Sequence, residues 1–329
     1  MPDKSYKPPY SVTDTIIHMV AEISEQVGTV ISKNETAKSP QLRRENQIRS
    51  IHSSLAIENN SLSIEQVTDV INGKRVLGSP TEIKEVKNAY EAYNLLLTLD
   101  PYKIKDLLIA HGVLMADLTK EAGSFRSGGV GIFAGEKLVH AAPPAGIVPE
   151  LMRNLINWVK TTDTHPLIKS CVFHYEFEFI HPFSDGNGRM GRMWQTLLLT
   201  QWKPLFAWLP VEELVRERQR EYYEVLAVSD KKADSTLFIE FMLMVQKDAL
   251  SDLLRTEQVR EQVTVQVEKL LTVLGEETYS AKELMKLLGL KHRPTFSTTY
   301  LRPAIELGLI EMTIPDKPNS NRQKYRAVR

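Results

Sequence analysis

The chain has 329 residues, enough for two or three domains, and 41 basic and 41 acidic side chains give it a formal net charge of zero. This balance removes any global electrostatic argument for binding nucleic acid or an acidic membrane, although a local basic patch is left open. The single cysteine, Cys171, cannot form an internal disulfide and suits a reducing compartment. No signal-peptide core and no apolar run of the roughly 18 residues that span a bilayer are present. We therefore expect a soluble, cytoplasmic protein without a membrane partner.

Apolar residues recur at helical spacing along most of the chain up to about residue 255, which predicts an all-α fold there. Helices are predicted over residues 10–32, 41–58, 63–72, 80–99, 101–118, 148–160, 166–180, 186–202, 211–228 and 235–255. The glycine-rich segment 123–146 interrupts this pattern, and its short apolar runs predict one β-hairpin.

A separate module is predicted near the C-terminal end. Three helices, 263–274, 281–288 and 295–307, are followed by two strands, 308–314 and 323–328. This order is the outline of a winged helix-turn-helix.

We therefore divide the chain into an N-terminal helical region (1–98), a core (99–256) and a winged-helix domain (260–329). Basic residues in the last domain could contact DNA phosphates. The segment 295–301, which would enter the DNA groove, has few side chains that read bases. Docking to a protein and contact within a homodimer are the alternatives.

Between His181 and Arg192 the chain reads HPFSDGNGRMGR, a content that is unusual for a core helix or a solvated loop. Pro182 disfavours helix at the residue before it, so the preceding helix ends there. Gly186 and Gly188 let backbone amides approach a ligand closely, and Asn187 adds an amide donor. The helix that begins here offers unpaired N–H groups and a positive dipole end, which together predict a phosphate site.

Charged side chains complete this site. Arg189 and Arg192 lie three residues apart on the helix, so both can hold further phosphate oxygens. Asp185 would repel phosphates unless a cation lay between them, so we interpret it as a Mg²⁺ ligand. An imidazole with a pKa of about 6.5 is mostly neutral in the cytoplasm, and His181 can accept a hydroxyl proton. The inferred reaction is attack by a hydroxyl on a nucleotide phosphate.

This stretch resembles the Fic-domain signature, His-Pro-Phe-x-Asp/Glu-Gly-Asn-Gly-Arg-x-x-Arg, at every specified position. The resemblance covers roughly residues 101–226 and implies an all-α core that transfers AMP from ATP to a protein hydroxyl. Some members transfer other phosphate-containing groups, so ATP is implied by the resemblance alone. The implied roles are general base for His181, Mg²⁺ ligand for Asp185, core anchor for Phe183, anion hole for Gly186, Asn187 and Gly188, and phosphate binding for Arg189 and Arg192.

The end of the second predicted helix resembles the inhibitory motif of the same family, Ser/Thr-x-x-x-Glu-Gly/Asn. Ser54, Glu58 and Asn59 match its specified positions, although alone they read as an ordinary amphipathic helix end. An arginine that binds a γ-phosphate binds a carboxylate equally well. Glu58 paired with Arg192 would therefore block productive ATP placement, with Ser54 holding the helix. The same glutamate could instead position a water and remove AMP.

The predicted hairpin is similar to the target-docking flap of the family. We expect it to bind an extended segment of the target by strand addition, with Val130, Gly131, Ile132 and Phe133 on its first strand.

Two further groups of side chains have two interpretations each. Tyr222 and Tyr223 either cover the adenine or pack in the core. His174, Glu176 and Glu178 look like a metal cluster. The mixed polarity of their helix and the presence of Asp185 as a metal ligand favour a structural role instead.

The sequence thus predicts a Mg²⁺-dependent protein adenylyltransferase that is inhibited by Glu58. It would modify a Ser, Thr or Tyr hydroxyl of a target protein and of itself. The alternative from another class is a DNA-binding regulator whose Fic core senses nucleotide.

Overall fold

A computed structural model describes residues 6–33, 40–134, 137–275, 277–318, 320 and 322–328. The chain divides into two compact units, Met1–Asp252 and Leu253–Arg329. The first unit is helical apart from one hairpin, in agreement with the predicted fold class. Its helices are α1 (Asp14–Lys33), α2 (Pro40–Ile57), α3 (Ile64–Ile71), α4 (Pro80–Leu95), α5 (Ile104–Leu114), α6 (Val148–Thr161), α7 (Pro166–Ile180), α8 (Asn187–Trp202), α9 (Val211–Glu217), α10 (Gln219–Lys232) and the first part of α11 (Thr236–Leu274).

Helices α7 and α8 form the centre of the first unit. Helix α7 is buried on nearly every side, although Ser170, His174 and Glu176 are among its buried residues. Its Phe173 and Phe177 share one core with Met190 and Trp194 of α8 and with Leu55 of α2. The predicted site lies in the loop that joins α7 to α8, so the packing of this core fixes the position of the site.

The apolar side chains of the N-terminal helix α1 do not all face the core. Ile16, Ile23 and Val27 are buried, whereas Ile17 and Ile31 are about half exposed. Successive helical residues are rotated by about 100°, so Ile17 lies outside the stripe defined by Ile16 and Ile23.

The hairpin consists of β1 (Gly131–Ala134) and β2 (Lys137–Ala141), which pair antiparallel with Gly131 opposite Ala141. The pairing is irregular between Ile132 and Phe133. The backbone of the predicted flap is therefore a hairpin. The side chains of Ile132 and Phe133 lie outside the described part of the chain.

The second unit contains the rest of α11, three short helices and a sheet. The elements are β3 (Tyr279–Ser280), α12 (Ala281–Leu287), α13 (Arg293–Phe296), α14 (Arg302–Glu306), β4 (Ile310–Met312) and β5 (Lys324–Ala327). The sheet is antiparallel in the order β3-β5-β4, and its Ile310 and Tyr325 pack with Leu270, Leu284 and Phe296.

Two details differ from the sequence prediction, and one that the sequence left open is decided. A third strand, β3, was missed because two residues give no alternation to detect. The polar stretch 258–260 could extend the helix before it, and it does so, because Thr236–Leu274 is one continuous helix, α11. The helix predicted over 295–307 is divided by a π turn, Ser297–Leu301, shortly before Pro303, which has no N–H to donate to the preceding turn. The winged-helix interpretation of this unit stays a prediction.

In the part of the chain that the structure describes, no helix is both long enough and apolar enough to cross a membrane.

Candidate active site

One cavity of about 610 Å³ brings together most of the predicted site residues. They come from the end of α2, the start of the hairpin, the α7–α8 loop, α8 and α10, and we call this space the active-site cavity. Its lining includes Glu58, Val130, Gly131, His181, Asp185, Gly186, Asn187, Gly188, Arg192, Tyr222 and Tyr223. Its volume lies within the usual range for small-molecule sites.

His181 ends α7 in a left-handed conformation, with φ of 49°. Its Nδ1 lies 3.3 Å from the carbonyl oxygen of Glu178. A carbonyl only accepts, so this contact is a hydrogen bond in the tautomer that carries the ring proton on Nδ1 and the lone pair on Nε2. The geometry therefore suits a general base at the cavity wall.

His111, on α5, supports the α7–α8 loop, a role that was not predicted from the sequence. Its ring stacks on Phe183 with centroids 3.6 Å apart and planes 4° apart. Nδ1 accepts from the backbone N–H of Gly123 at 3.0 Å, so Nε2 carries the proton and donates to the carbonyl of Asp185 at 3.0 Å. Burial lowers the pKa of His111 to about 4, so the ring is neutral. The presence of a histidine within the apolar run of α5 is the sequence signal from which this role could have been predicted.

Arg126 was also missed as a functional residue, although the sequence places it at the base of the flap. Its backbone N–H donates to the carbonyl of Pro182, and its Nε donates to that of His181 at 2.7 Å. Its Nη1 and Nη2 reach the carbonyls of Gly128 and Pro143, one on each side of the hairpin. One buried guanidinium thus holds both ends of the flap and the peptide that carries the base.

Asn187 shapes the loop with its side chain. Its Nδ2 donates to the carbonyl of Phe183 and its Oδ1 accepts from the N–H of the same residue, both at 2.9 Å. The predicted amide donor is therefore used within the loop. Gly186 is left-handed with φ of 82°, and a Cβ there would lie 2.7 Å from Sδ of Met115.

Arg192 is 3% exposed and points at the end of α2. Its Nε donates to Oγ of Ser54 at 3.2 Å, and its Nη2 donates to the Ser54 carbonyl at 3.0 Å and to Oε1 of Glu58 at 2.8 Å. Burial disfavours the charged guanidinium, but Glu58, together with Tyr222 and Glu178, favours it, and the pKa of Arg192 lies above its usual value. The structure thus joins the two predicted motifs directly.

Asn59 explains why Glu58 stands at the very end of α2. Asn59 is left-handed with φ of 67°, and its N–H bonds the carbonyl of Ala56 while that of Asn60 bonds the carbonyl of Leu55. These two bonds form a Schellman motif, for which Asn is one of the few suitable residues besides Gly.

The Glu58 carboxylate lies against the N-terminus of α8. A Cβ on Gly188 would collide with Oε1 of Glu58 and would lie 3.1 Å from Nη1 of Arg192. The carboxylate therefore stands beside the positive end of a helix, where phosphate oxygens are expected.

Arg189 has two carboxylate partners. Its Nη1 lies 3.1 Å from Oε1 of Glu85 on α4, and its Nη2 lies 3.2 Å from Oδ1 of Asp185. Glu85 was not predicted, since nothing in its local sequence distinguishes it from a surface residue.

Asp185 is the residue that could hold a metal here. Its side chain is 59% exposed, and Oδ1 also accepts from the N–H of Gly186. Among the described residues no group of three or more His, Cys, Asp or Glu side chains is placed to bind a metal ion. A single carboxylate beside a phosphate site still fits Mg²⁺, which takes most of its ligands from phosphate and water.

The two tyrosines of α10 differ in their surroundings. Tyr222 is 1% exposed, and its hydroxyl lies 3.1 Å from Nε2 of His174, so it packs in the core at the cavity edge. Tyr223 is 45% exposed and packs edge-on against Tyr222. Tyr223 is therefore the more accessible of the two to an adenine ring in the cavity.

Of the three side chains that resemble a metal cluster, His174 and Glu178 lie 3.8 Å apart, while His174 and Glu176 also have other partners. Nδ1 of His174 contacts Oε1 of Gln195, and Glu176 accepts from the hydroxyl of Tyr6. Burial lowers the pKa of His174 to about 3 and raises that of Glu176 to about 6.

The buried histidines make the fold sensitive to acid. Unfolded histidines take up protons below about pH 6.5, whereas folded His111 and His174 resist protonation until about 4 and 3. The contribution of these two histidines to the free energy of unfolding should therefore be complete above pH 6.5. Below that pH the free energy of unfolding should fall toward pH 4 by about 1.4 kcal/mol per pH unit for each histidine. Urea unfolding at pH 7, 6 and 5 measures this slope.

Replacing His111 by Asn should reduce the slope by about one proton. Glu176 titrates in the opposite sense because its folded pKa is raised, so the difference between variant and wild type is the diagnostic quantity. An unchanged slope in His111→Asn would contradict the assignment of a neutral ring.

Comparisons with known proteins place these features in a family. Residues 101–199 match the Fic/DOC family, and residues 265–327 match the C-terminal domain of Fic-like proteins (filamentation induced by cAMP). The chain is 26% identical to a probable protein adenylyltransferase of Aquifex aeolicus, over 78% of this chain and 79% of that one. It is 27% identical to the protein adenylyltransferase Fic of Aedes aegypti, over 60% of this chain and only 40% of that longer protein.

A solved structure is more similar still. The crystal structure of a Fic family protein from Desulfovibrio desulfuricans G20 is 54% identical in sequence, covers 98% of both chains and superposes with a TM-score of 0.75. With the signature loop, the base and the helix N-terminus in one cavity, these matches lead to one conclusion: the chain belongs to the Fic family.

Proposed function

We propose that the chain is a Mg²⁺-dependent protein adenylyltransferase that modifies Ser, Thr or Tyr hydroxyls, including its own, and that Glu58 keeps its basal activity low. The general activity is that of the curated relatives named above. The observation that carries the proposal is the shared cavity, in which His181 faces the N-terminus of α8 and Arg192.

The reaction follows from the positions of these groups. His181 takes the proton of the target hydroxyl on Nε2, and the hydroxyl oxygen attacks the α-phosphorus of ATP. The bond from that phosphorus to the bridging oxygen breaks, so AMP is joined to the target and diphosphate leaves. The backbone N–H groups at the start of α8 hold phosphate oxygens, and Arg192 binds the outer phosphate. Mg²⁺ bound at Asp185 would supply positive charge for the leaving diphosphate.

Glu58 interferes with this arrangement in two ways. Its carboxylate uses the Nη2 donor of Arg192, and it lies against the helix end where phosphate oxygens bind. A γ-phosphate in the same place would meet a like charge. ATP must therefore displace Glu58 before it is placed productively.

Removing this carboxylate should raise the activity. We expect Glu58→Gly to increase transfer of label from α-³²P-ATP to proteins of a lysate and to the enzyme by about 10- to 100-fold, the effect of a lost hydrogen bond between charged groups. The paired variant Glu58→Gly/His181→Ala should show no labelling, and mass spectrometry should detect the added AMP in the single variant. Equal labelling by wild type and Glu58→Gly would exclude inhibition by Glu58.

Metal dependence is tested at Asp185. Chelation by EDTA should abolish labelling by the Glu58→Gly variant, and added Mg²⁺ should restore it. Asp185→Asn should lower labelling at least about 10-fold at low Mg²⁺, because one carboxylate is a large share of the protein ligands of this ion. Labelling that persists in EDTA would contradict the proposed role of the ion.

Removal of AMP is a second candidate activity. The Glu58 carboxylate is 33% exposed and shares the cavity with His181, so it could orient a water toward a phosphorus there. Purified target labelled by Glu58→Gly, freed of ATP and incubated with wild type and Mg²⁺, should lose AMP if this activity exists. Retention of the label, with Glu58→Gly as the matched control, would exclude it.

A further inference from the structure

One face of α2 carries three polar side chains at four-residue intervals: Ser50, Ser54 and Glu58. Residues spaced in this way lie above one another on a helix. Ser54 and Glu58 contact Arg192, as described above. Ser50 lies one turn further from the cavity and donates from Oγ to Oε2 of Glu212 at 3.0 Å.

Glu212 is an unusual residue for the interior. It is only 3% exposed, and its second oxygen, Oε1, accepts from the hydroxyl of Tyr93 at 3.0 Å. Burial raises the pKa of Glu212, and a buried carboxylate is costly unless hydrogen bonds satisfy it. Both bonds join α9 to other helices, Ser50 on α2 and Tyr93 on α4. Glu212 and Arg192 also line the same small internal cavity.

The C-terminal end of α2 is attached to the same region. Nε2 of Gln219, at the start of α10, donates to the carbonyl of Ile57 at 2.8 Å. This carbonyl belongs to the last turn of α2, whose acceptors have no partner within the helix. Bonds near both ends of the 50–58 segment thus hold it against α9 and α10.

We propose that Glu212 is a positioning residue for autoinhibition: by binding Ser50 it fixes the axial position and rotation of α2, and so places Glu58 against Arg192. A slip of one residue along a helix is about 1.5 Å of translation and 100° of rotation, which would carry Glu58 away from Arg192. The inhibitory contact therefore extends upstream of Ser54, to Ser50. This inference rests on the proposed inhibitory function of Glu58.

The neighbouring residue provides a matched control. Glu213 also joins α9 to α2, through Oε2 at 2.6 Å from Nη2 of Arg49, but this pair is partly exposed. Exposed ion pairs contribute little to stability. Glu212→Gln and Glu213→Gln therefore remove one charge each from adjacent positions, and only the first disturbs the bond to Ser50.

The experiment measures self-labelling from α-³²P-ATP, the affinity for ATP by titration calorimetry, and thermal unfolding of the full chain. Ser50→Ala and Glu212→Gln should each raise labelling and ATP affinity by about 3- to 10-fold, the order expected for one hydrogen bond. Glu213→Gln should leave both unchanged. Adding Ser50→Ala to Glu58→Gly should give no further increase, because Ser50 acts only through Glu58.

The outcomes separate the two hypotheses. If Glu58→Gly raises labelling and Ser50→Ala does not, the role of Glu212 is refuted and inhibition by Glu58 stands. If Glu58→Gly has no effect, inhibition itself is refuted. Equal increases in Glu212→Gln and Glu213→Gln, or a further increase in the double variant, would indicate general loosening and overturn the proposal. Ser50→Ala decides the question if Glu212→Gln fails to fold.

Discussion

The active site depends on a buried positive charge that needs an anion. Arg192 is almost fully enclosed, and a cation in such a place is stable only when it is paired and hydrogen-bonded. In the structure Glu58 supplies the anion and Ser54 completes the bonding. The phosphates of a nucleotide offer the same kind of partner, so under the proposed function the nucleotide and Glu58 would compete for one guanidinium. Inhibition and catalysis would then be two ways to satisfy the same electrostatic requirement.

The rest of the first unit keeps this competition local. The α7–α8 loop is held by side chains that turn inward: Asn187 bonds Phe183, and His111 bonds Asp185 while stacking on Phe183. These contacts are neutral, and they stand apart from the exchange between Glu58 and a phosphate. The loop is already formed while Glu58 contacts Arg192, so under the proposed function release of Glu58 would complete the site without rebuilding the loop.

The sequence predicted those parts of the site that lie close together along the chain. His181 to Arg192 is contiguous, so residue types and their spacing were sufficient there. Ser54 and Glu58 lie one helical turn apart, but they were singled out only by their resemblance to the inhibitory motif of the family. Arg126, His111 and Glu85 could not be found in this way. Their partners lie some 50 to 100 positions away, and the match between them exists only after the helices pack. The third strand of the second unit is a similar case, because two residues pair only when β5 is already beside them.

Arg126 holds the base of the flap and the peptide of His181 in a way that differs from the contact between Glu58 and Arg192. Each of its hydrogen-bond partners among the described residues is a carbonyl oxygen, which neither titrates nor carries a net charge. Arg192 and Arg126 are equally buried, but the carboxylate of Glu58 is 33% exposed, so salt can weaken the ion pair from that side, whereas bonds from Arg126 to neutral carbonyls are little screened. Under the proposed function, ionic strength would therefore act on the contact between Glu58 and Arg192 while the geometry around His181 stays constant.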